Sequence, residues 1–202
     1  MGQDEAMDRA RRLAGLDRRV VIGITGPPGC GKSTLALEVA RAIVPTSAVV
    51  VPMDGFHLAN VQLERLGLAG RKGAPETFDA AGYISLLRRV REAKNGTVYA
   101  PTFDRAIEQP ISGAIAVGDE VHLVVTEGNY LLLGDRPWTA IPQLLDEIWY
   151  CDVEADLRRA RLIARHEQFG KTTEDALSWV TNVDEPNARL VAATRFKANY
   201  FV

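Results

Sequence analysis

Hydrophobic and polar positions follow two rhythms along this 202-residue chain. Arg19 to Thr25 (RVVIGIT) is a β-branched run ending beside a glycine, which predicts a buried strand. Ser33 to Val44 follows with Leu35, Val39, Ala42 and Ile43 at helical spacing, and the pattern stops before Pro45. Ala48 to Met53 (AVVVPM) predicts a second strand with Pro52 at its end. Val121 to Thr126 (VHLVVT) predicts a third and Glu147 to Val153 (EIWYCDV) a fourth, with a loop-rich stretch holding Pro137 and Pro142 between them. Glu154 to Phe169 and Glu185 to Lys197 read as helices. Strand, helix, strand in this order implies βαβ units, hence an α/β domain with a mostly parallel sheet covered on both faces.

The stretch from Ala59 to Gly118 breaks that rhythm. It holds many of the glycines and prolines and one clear helix, Ala80 to Lys94. It reads as an insertion over one end of the sheet, where open α/β folds keep their ligand loops. No internal repeat or low-complexity tract stands out, so residues 1–202 are expected to form one domain.

Composition narrows the classes further. Hydrophobic residues make up 47% of the chain and charged ones 25%, which is globular rather than disordered usage. A net charge of −2 argues against a nucleic-acid partner held by broad electrostatics. The two cysteines, Cys30 and Cys151, are too few for a disulfide scaffold and suit a reducing cytoplasm. Met1 to Arg19 is rich in Asp, Glu and Arg without the apolar core of a signal peptide, and Ala6 stands where myristoylation needs Ser or Thr. No run reaches the roughly 18 to 20 apolar residues of a spanning helix. A cytoplasmic protein without a membrane partner is the expectation.

The strongest motif is Gly26-Pro27-Pro28-Gly29-Cys30-Gly31-Lys32-Ser33, which fits G-x-x-x-x-G-K-[ST], with Thr34 next. A hydrophobic strand runs into it and an amphipathic helix leaves it, the context a phosphate-binding loop requires. The two prolines, lacking N–H groups, fall early; from Gly29 onward every residue offers an amide to β-phosphate oxygens. The helix start at Lys32 to Thr34 adds its dipole. Lys32 would bridge the β- and γ-phosphates and the Ser33 hydroxyl would reach Mg²⁺. Cys30 reads as a small spacer whose thiol pKa a helix N-terminus would lower.

Such a loop serves kinases, GTPases, motor ATPases and transporters. No Asn-Lys-x-Asp base-reading signature is present, and VHLVVT runs into Glu127-Gly128 rather than Asp-Glu. That places small-molecule kinases first. A kinase needs a base for the acceptor hydroxyl, carboxylate help with the metal, and cations over the migrating phosphoryl. Asp54 and Glu127 stand at the carboxyl ends of predicted strands, facing the same crevice as the phosphate loop. One would take the acceptor proton while the other holds Mg²⁺. Arg158, Arg161 and Arg165, spaced i, i+3, i+7, share one stripe that suits a lid over ATP, while Leu157, Ala160 and Ile163 or Ala164 would face the core. Arg159 falls off the stripe.

At this point several blocks in order carry a resemblance: Gly26 to Thr34, Met53-Asp54-Gly55-Phe56-His57, Arg71 to Asp79 (RKGAPETFD), Tyr99 to Arg105 (YAPTFDR), Glu127-Gly128-Asn129-Tyr130 and Asp184-Glu185-Pro186-Asn187. Together they resemble the uridine kinase, phosphoribulokinase and bacterial pantothenate kinase group of P-loop kinases. More narrowly the chain is similar to a short branch labelled fructose-transport-system kinase, or nucleoside/nucleotide kinase family protein. The resemblance implies a P-loop NTPase fold, a three-layer α/β/α sandwich with a five-stranded parallel core and lid insertions, and ATP with Mg²⁺. It also implies Asp54 as base, and acceptor contacts from the block ending in Asp79, from Tyr99 to Arg105, and from the Glu127 loop including Asn129. Uridine kinases usually read Asp-Ser-Phe-Tyr where this chain has Asp54-Gly55-Phe56-His57, which weakens a nucleoside acceptor. Segments that extend typical bacterial pantothenate kinases at both ends are missing.

The remaining candidates are acceptor-side residues. Arg71-Lys72-Gly73 is a cationic loop for an anionic acceptor group, with Arg71 as the chosen contact. Phe56, Phe78 and Tyr99 would wall a pocket, His57 would bond an acceptor hydroxyl, and Arg105 would reach acceptor or γ-phosphate from a mobile loop. His122, His166, Trp138, Trp149 and Trp179 read as structural, and no zinc-ligand cluster is present. The expectation is therefore a kinase with Asp54 as base, Lys32 and the loop amides on phosphate, Ser33 and Glu127 at Mg²⁺, and the arginine stripe (region 154–175) closing to exclude water. The acceptor is a hydroxyl of a small polar metabolite, a sugar such as fructose, or else pantothenate or a nucleoside. A nucleotide-dependent binding protein without an acceptor is the rival, against which Asp54 and Glu127 speak. The oligomeric state, monomer or homodimer, stays open.

Overall fold

The computed structural model describes residues 1–44 and 47–202. Among the described residues seven strands form: β1 Val20–Thr25, β2 Ala48–Pro52, β3 Val98–Asp104, β4 Gln109–Val117, β5 Leu123–Glu127, β6 Glu147–Tyr150 and β7 Tyr200–Phe201. Among the described residues five of them build one sheet, in the order β2-β5-β1-β6-β7, with every pairing parallel. The four strands predicted from hydrophobic runs are its first four members, and the C-terminal pair Tyr200–Phe201 completes the edge.

Alternation along β1 sends side chains to two apolar layers. Val20, Ile22 and Ile24 meet Leu35, Ala36 and Val39 of helix α2 (Lys32–Arg41), together with Ala6 and Ala10 of helix α1 (Gln3–Ala14). Val21 faces the other layer, where helix α4 (Ala80–Glu92) contributes Tyr83, Leu87 and Val90 against Leu131, Trp138 and Ile148. Helices α3 (Asn60–Arg65), α5 (Ala155–Gln168), α6 (Thr173–Trp179) and α7 (Glu185–Ala192) complete the helical set.

Several elements differ from expectation. The helix predicted over Ser33 to Val44 ends at Arg41, and Pro45, its predicted stop, lies outside the described residues. The charged N-terminal segment forms α1. Its fully buried apolar positions are Ala6 and Ala10, with Met7, Leu13 and Ala14 partly buried beside them, and Arg9 adds a two-pronged ion pair to Glu147 at 2.5 and 2.8 Å. The insertion holds more than its one predicted helix: α3, and β3 with β4 paired antiparallel as a separate ribbon. Pro101 and Pro110 lie inside those strands, which a two-stranded ribbon tolerates because each strand has a free edge. The helix expected over Glu185 to Lys197 stops at Ala192 and continues as a short 3₁₀ turn, Arg195–Lys197.

Two glycines set how closely loops cross at the carboxyl ends of the strands. A Cβ on Gly55 would stand 2.6 Å from the Pro101 carbonyl, so glycine is what lets β3 lie against the Asp54 turn. A Cβ on Gly128 would stand 2.5 Å from Met53 Cβ, so the chain after Glu127 passes directly beside the residue before Asp54. Gly128→Ala is therefore expected to lower stability by about 1–3 kcal/mol, read from urea unfolding. Gly70→Ala, at a position with open space around it, should change stability by less than about 0.5 kcal/mol. Equal effects of the two would refute the close-crossing account.

Candidate active site

The register of the sheet brings the motif residues together. Pro52 and Ile24 both pair with Glu127, so the carboxyl ends of β2, β5 and β1 are level. Beyond them lie the Asp54 turn, Glu127 itself and the phosphate loop. These surround a cleft of about 440 Å³ lined by Gly29, Lys32, Ser33, Asp54, Glu127 and Asn129 on one side and by the insertion on the other.

The loop wraps the start of α2. Gly26, Gly29 and Gly31 all have positive φ (149°, 82° and 103°), the region glycine enters without steric cost. A Cβ on Gly29 would also stand 2.7 Å from Leu162 Cγ and 3.0 Å from the Arg158 carbonyl, so the loop lies tight against α5. Lys32 is buried and its Nζ donates to the Pro27 carbonyl at 3.0 Å, folding the ammonium across its own loop. Ser33 Oγ donates to Glu127 Oε1 at 2.9 Å. Thr34 is exposed on the next turn of the helix. Cys30 is buried beneath the loop, and the Cys151 thiol donates to its carbonyl at 3.2 Å. A hydrogen bond from Cys151 pulls the Cys30 thiol down to about 6 against the effect of burial, with the Lys32 charge assisting.

The two carboxylates have opposite environments. Burial pushes Glu127 up to about 7, the charge of Asp54 adds to this, and Lys32 and the Ser33 hydroxyl oppose it. Burial also acts to raise Asp54, but the combined charges of His57, Arg105, Lys32 and Arg165 outweigh it and hold this carboxyl below its usual range. Arg105 Nη2 lies 3.2 Å from Asp54 Oδ2. Asn129 lines the cleft, and its carbonyl accepts from Thr25 Oγ1 at 3.2 Å, tying the Glu127 loop to β1.

The three arginines of the stripe do three different things. Arg158 is buried, its Nη1 3.4 Å from the Pro28 carbonyl and its Nη2 on Glu185, so it fastens the loop from behind. Arg161 is exposed, with Nη1 3.8 Å from where a Cβ of Gly31 would sit, at the rim of the loop. Arg165 reaches the cleft, and burial holds its guanidinium below its ordinary pKa. The expected core face of this helix is corrected: Leu157, Ala160 and Ala164 are exposed, whereas Arg158 and Leu162 are buried. The helix rests on a glycine loop and not on an apolar sheet, and its inner face is the one that fits under Gly29.

At the acceptor end, His57 Nδ1 donates to the Asp54 carbonyl at 2.7 Å, and its ring packs between Phe78 (4.0 Å) and Phe103 (4.7 Å). Burial lowers its pKa, and the Asp54 carboxylate and carbonyl beside it oppose that shift. Phe78 lines the cleft, while Phe56 packs against Tyr83 at 5.2 Å on the core side. The structure does not bring Arg71 or Tyr99 to the cleft: Arg71 pairs with Glu76 at the surface, and Tyr99 is exposed on β3. Asp79 caps α4 by accepting from the Gly82 amide at 2.8 Å. Lys72 takes the place expected of Arg71, lining the cleft beside Asn60 and Phe103.

Sequence reasoning also passed over His166, Asp184 and Trp179, all of which line the cleft. His166 Nε2 lies 2.8 Å from Asp184 Oδ2, and Asp184 ends a π-helical turn, Val180–Asp184, a distortion that often marks functional positions. Their one sequence signal was the Asp184-Glu185-Pro186-Asn187 block. Among the described residues no group of three His, Cys, Asp or Glu side chains is placed to hold a metal by itself, and no helix is long and apolar enough to cross a membrane.

Comparison with known proteins agrees with this geometry. The pattern of the Phosphoribulokinase / Uridine kinase family matches residues 21–198. A Schizosaccharomyces pombe protein named "putative uridine kinase C227.14" is 36% identical, the match covering 93% of this chain and 84% of that one. The "uncharacterized protein YggC" of Escherichia coli K12 is also 36% identical, over 92% and 78% of the two chains. The crystal structure of a "putative fructose transport system kinase" from Silicibacter sp. TM1040 superposes with a TM-score of 0.89 at 35% identity, covering 100% of this chain and 99% of that one.

The raised Glu127 gives a pH signature in the nucleotide-free protein. Between its ordinary value of 4.5 and about 7, the unfolded chain releases a proton that the folded chain keeps. This part of the stability therefore falls as pH rises through that window and is constant above it. Glu127→Gln keeps an acceptor for Ser33 and removes the proton. The variant should gain stability relative to the parent between pH 5 and pH 8 in urea unfolding; a pH-independent difference would refute the shift.

Proposed function

The chain belongs to the phosphoribulokinase / uridine kinase family of P-loop kinases, ATP-dependent phosphotransferases with a hydroxyl acceptor, and we propose that it transfers the γ-phosphoryl group of ATP to a hydroxyl of a small polar metabolite, with Asp54 as the base. The observation that carries this reading is the convergence of Lys32, Ser33, Glu127 and Asp54 at level strand ends in one cleft. A protein that only binds nucleotide has no use for a second carboxylate, held ionised by four cationic or imidazole neighbours, on the acceptor side.

The residues fit ATP with Mg²⁺. Gly26, Gly29 and Gly31 take positive φ and carry no Cβ, the conformation by which a phosphate loop can turn successive amides toward an anion. Magnesium binds by one or two carboxylates and hydroxyls together with substrate phosphates, and Ser33 Oγ beside Glu127 is such a pair. When bound, Mg²⁺ offsets the charge of the phosphate oxygens. Lys32 leaves the Pro27 carbonyl for phosphate, the loop amides orient the phosphates, and Arg165 with Arg161 covers the cleft and excludes water. Asp54 accepts the hydroxyl proton as the acceptor oxygen bonds to phosphorus and the bond to ADP breaks. Its low pKa suits a loose transition state, in which the proton leaves late and a weak base is enough. Arg158 acts as a positioning residue through the loop. The free thiols of Cys30 and Cys151 are compatible with a cytoplasmic setting.

For the acceptor, the name of the solved neighbour favours a sugar such as fructose. The check is coupled ADP release from Mg·ATP across a panel of small alcohols. Asp54→Asn should lower kcat by about 10²–10⁴ while ATP binding by calorimetry stays within about threefold. Unchanged kcat would remove Asp54 as base, and a panel without any stimulation would remove the kinase reading.

A further inference from the structure

Lys72 is a cation that the loop and metal chemistry leave unused. Its side chain is only 14% exposed, yet it faces the cleft. Its Nζ donates to Asn60 Oδ1 at 2.8 Å and to the Glu108 carbonyl at 2.5 Å, both neutral oxygens. The Glu108 carboxylate pairs with it at 3.6 Å from a half-exposed position. Two of the three ammonium protons thus go to neutral oxygens, and the third faces a long ion pair that solvent screens. Burial lowers the Lys72 pKa, so the charged form is held there at a cost. Phe103 joins this lysine to Arg105: Lys72 Nζ lies 5.2 Å and the Arg105 guanidinium 5.9 Å from the centroid of its ring. Arg105 also reaches Asp54. Two cations therefore flank one aromatic platform on the acceptor side of the base.

We propose that Lys72, Phe103 and Arg105 form a subsite for an acidic group of the acceptor, which is accordingly a small alcohol carrying a carboxylate or a phosphate and not a neutral sugar or a nucleoside. This rests on the kinase reading above and names its substrate class. A nucleoside would need a slot in which to stack its base, but His57 already fills the space between Phe78 and Phe103. A neutral sugar would leave Lys72 to its long, half-exposed pair with Glu108, whereas a carboxylate or phosphate can take over that third proton and the Arg105 fork together. Glu64 and Glu108 at the cleft edge oppose a high negative charge, which fits one acidic group per acceptor.

The test has two readouts. The first is calorimetric binding to protein saturated with Mg·ADP, using glycerate and gluconate, glycerol 3-phosphate and fructose 6-phosphate, and glycerol, fructose and uridine. The second is ADP release from Mg·ATP with the same compounds. Acidic alcohols should bind at least about 30-fold more tightly than their neutral counterparts and be turned over in preference. The carboxylate and phosphate arms show which acid is used. Lys72→Met should collapse that ratio through KM, leaving the KM for ATP unchanged, and Lys72→Arg should restore most of it. A loss of fold alone would depress acidic and neutral compounds equally. Equal binding of fructose or uridine, or a ratio unmoved by Lys72→Met, overturns the subsite while leaving the kinase in place. Selective acid binding lost in Lys72→Met, without turnover of any compound, supports the subsite and overturns the kinase.

Discussion

Two carboxylates at the level ends of adjacent parallel strands repel each other, and the site is organised around making that repulsion tolerable. Glu127 and the Asp54 turn are neighbours because β2 and β5 pair in register and Gly128 lets the chain pass against Met53. Burial deepens the problem for both. The structure resolves it unequally. Asp54 is given Arg105, His57 and Arg165 and stays ionised, while Glu127 is left with one hydroxyl and a lysine turned toward its own loop. Separated pKa values on paired carboxylates divide the labour, one group ready to receive a proton and the other waiting for a cation.

The same constraint explains why α5 is a support as much as a lid. The glycines of the loop have no side chains with which to brace it, so beyond the Lys32 contact to Pro27 its curvature is supported from outside. Leu162 and the stem of Arg158 fill the space where a Cβ of Gly29 would be, and the Arg158 guanidinium is fixed between Pro28 and Glu185. Because that arginine is committed, closure over the phosphates falls to Arg161 and Arg165, one and two turns further along. A single periodic stripe thus contains one arginine fixed behind the loop, one exposed at its rim and one facing the cleft.

The nucleotide half of the site was legible in the sequence because its information is local. The phosphate loop occupies eight consecutive positions, and Asp54 and Glu127 each follow directly from an apolar run. The acceptor half was not. Choosing Arg71 over Lys72 in one cationic loop needed the path of a ribbon whose strands carry Pro101 and Pro110, residues that read against strands. His166 and Asp184 meet across 18 residues, the second at the end of a π-helical turn that no periodic pattern predicts. The α5 face was misjudged for a related reason: apolar periodicity marks the side facing a core, and this helix faces a backbone loop. Helix α1 escaped notice because its apolar face, Ala6, Met7, Ala10, Leu13 and Ala14, is set among many charges and only its two alanines are fully buried.

Arg105 lies on the proposed base, 3.2 Å from Asp54 Oδ2, and its guanidinium also lies beside Phe103 near Lys72. Under the proposed mechanism an acidic group at Lys72 would compete with Asp54 for that guanidinium. Drawing Arg105 toward the platform would then uncover the Asp54 oxygen and remove one of the cations that hold Asp54 low, making the carboxylate a better base as the acceptor arrives. Water brings no competing charge and leaves the ion pair closed. On the proposed reading, the contact that quiets Asp54 is thereby the one an acidic acceptor would open, and recognition of the acceptor would be coupled to protection of ATP from hydrolysis.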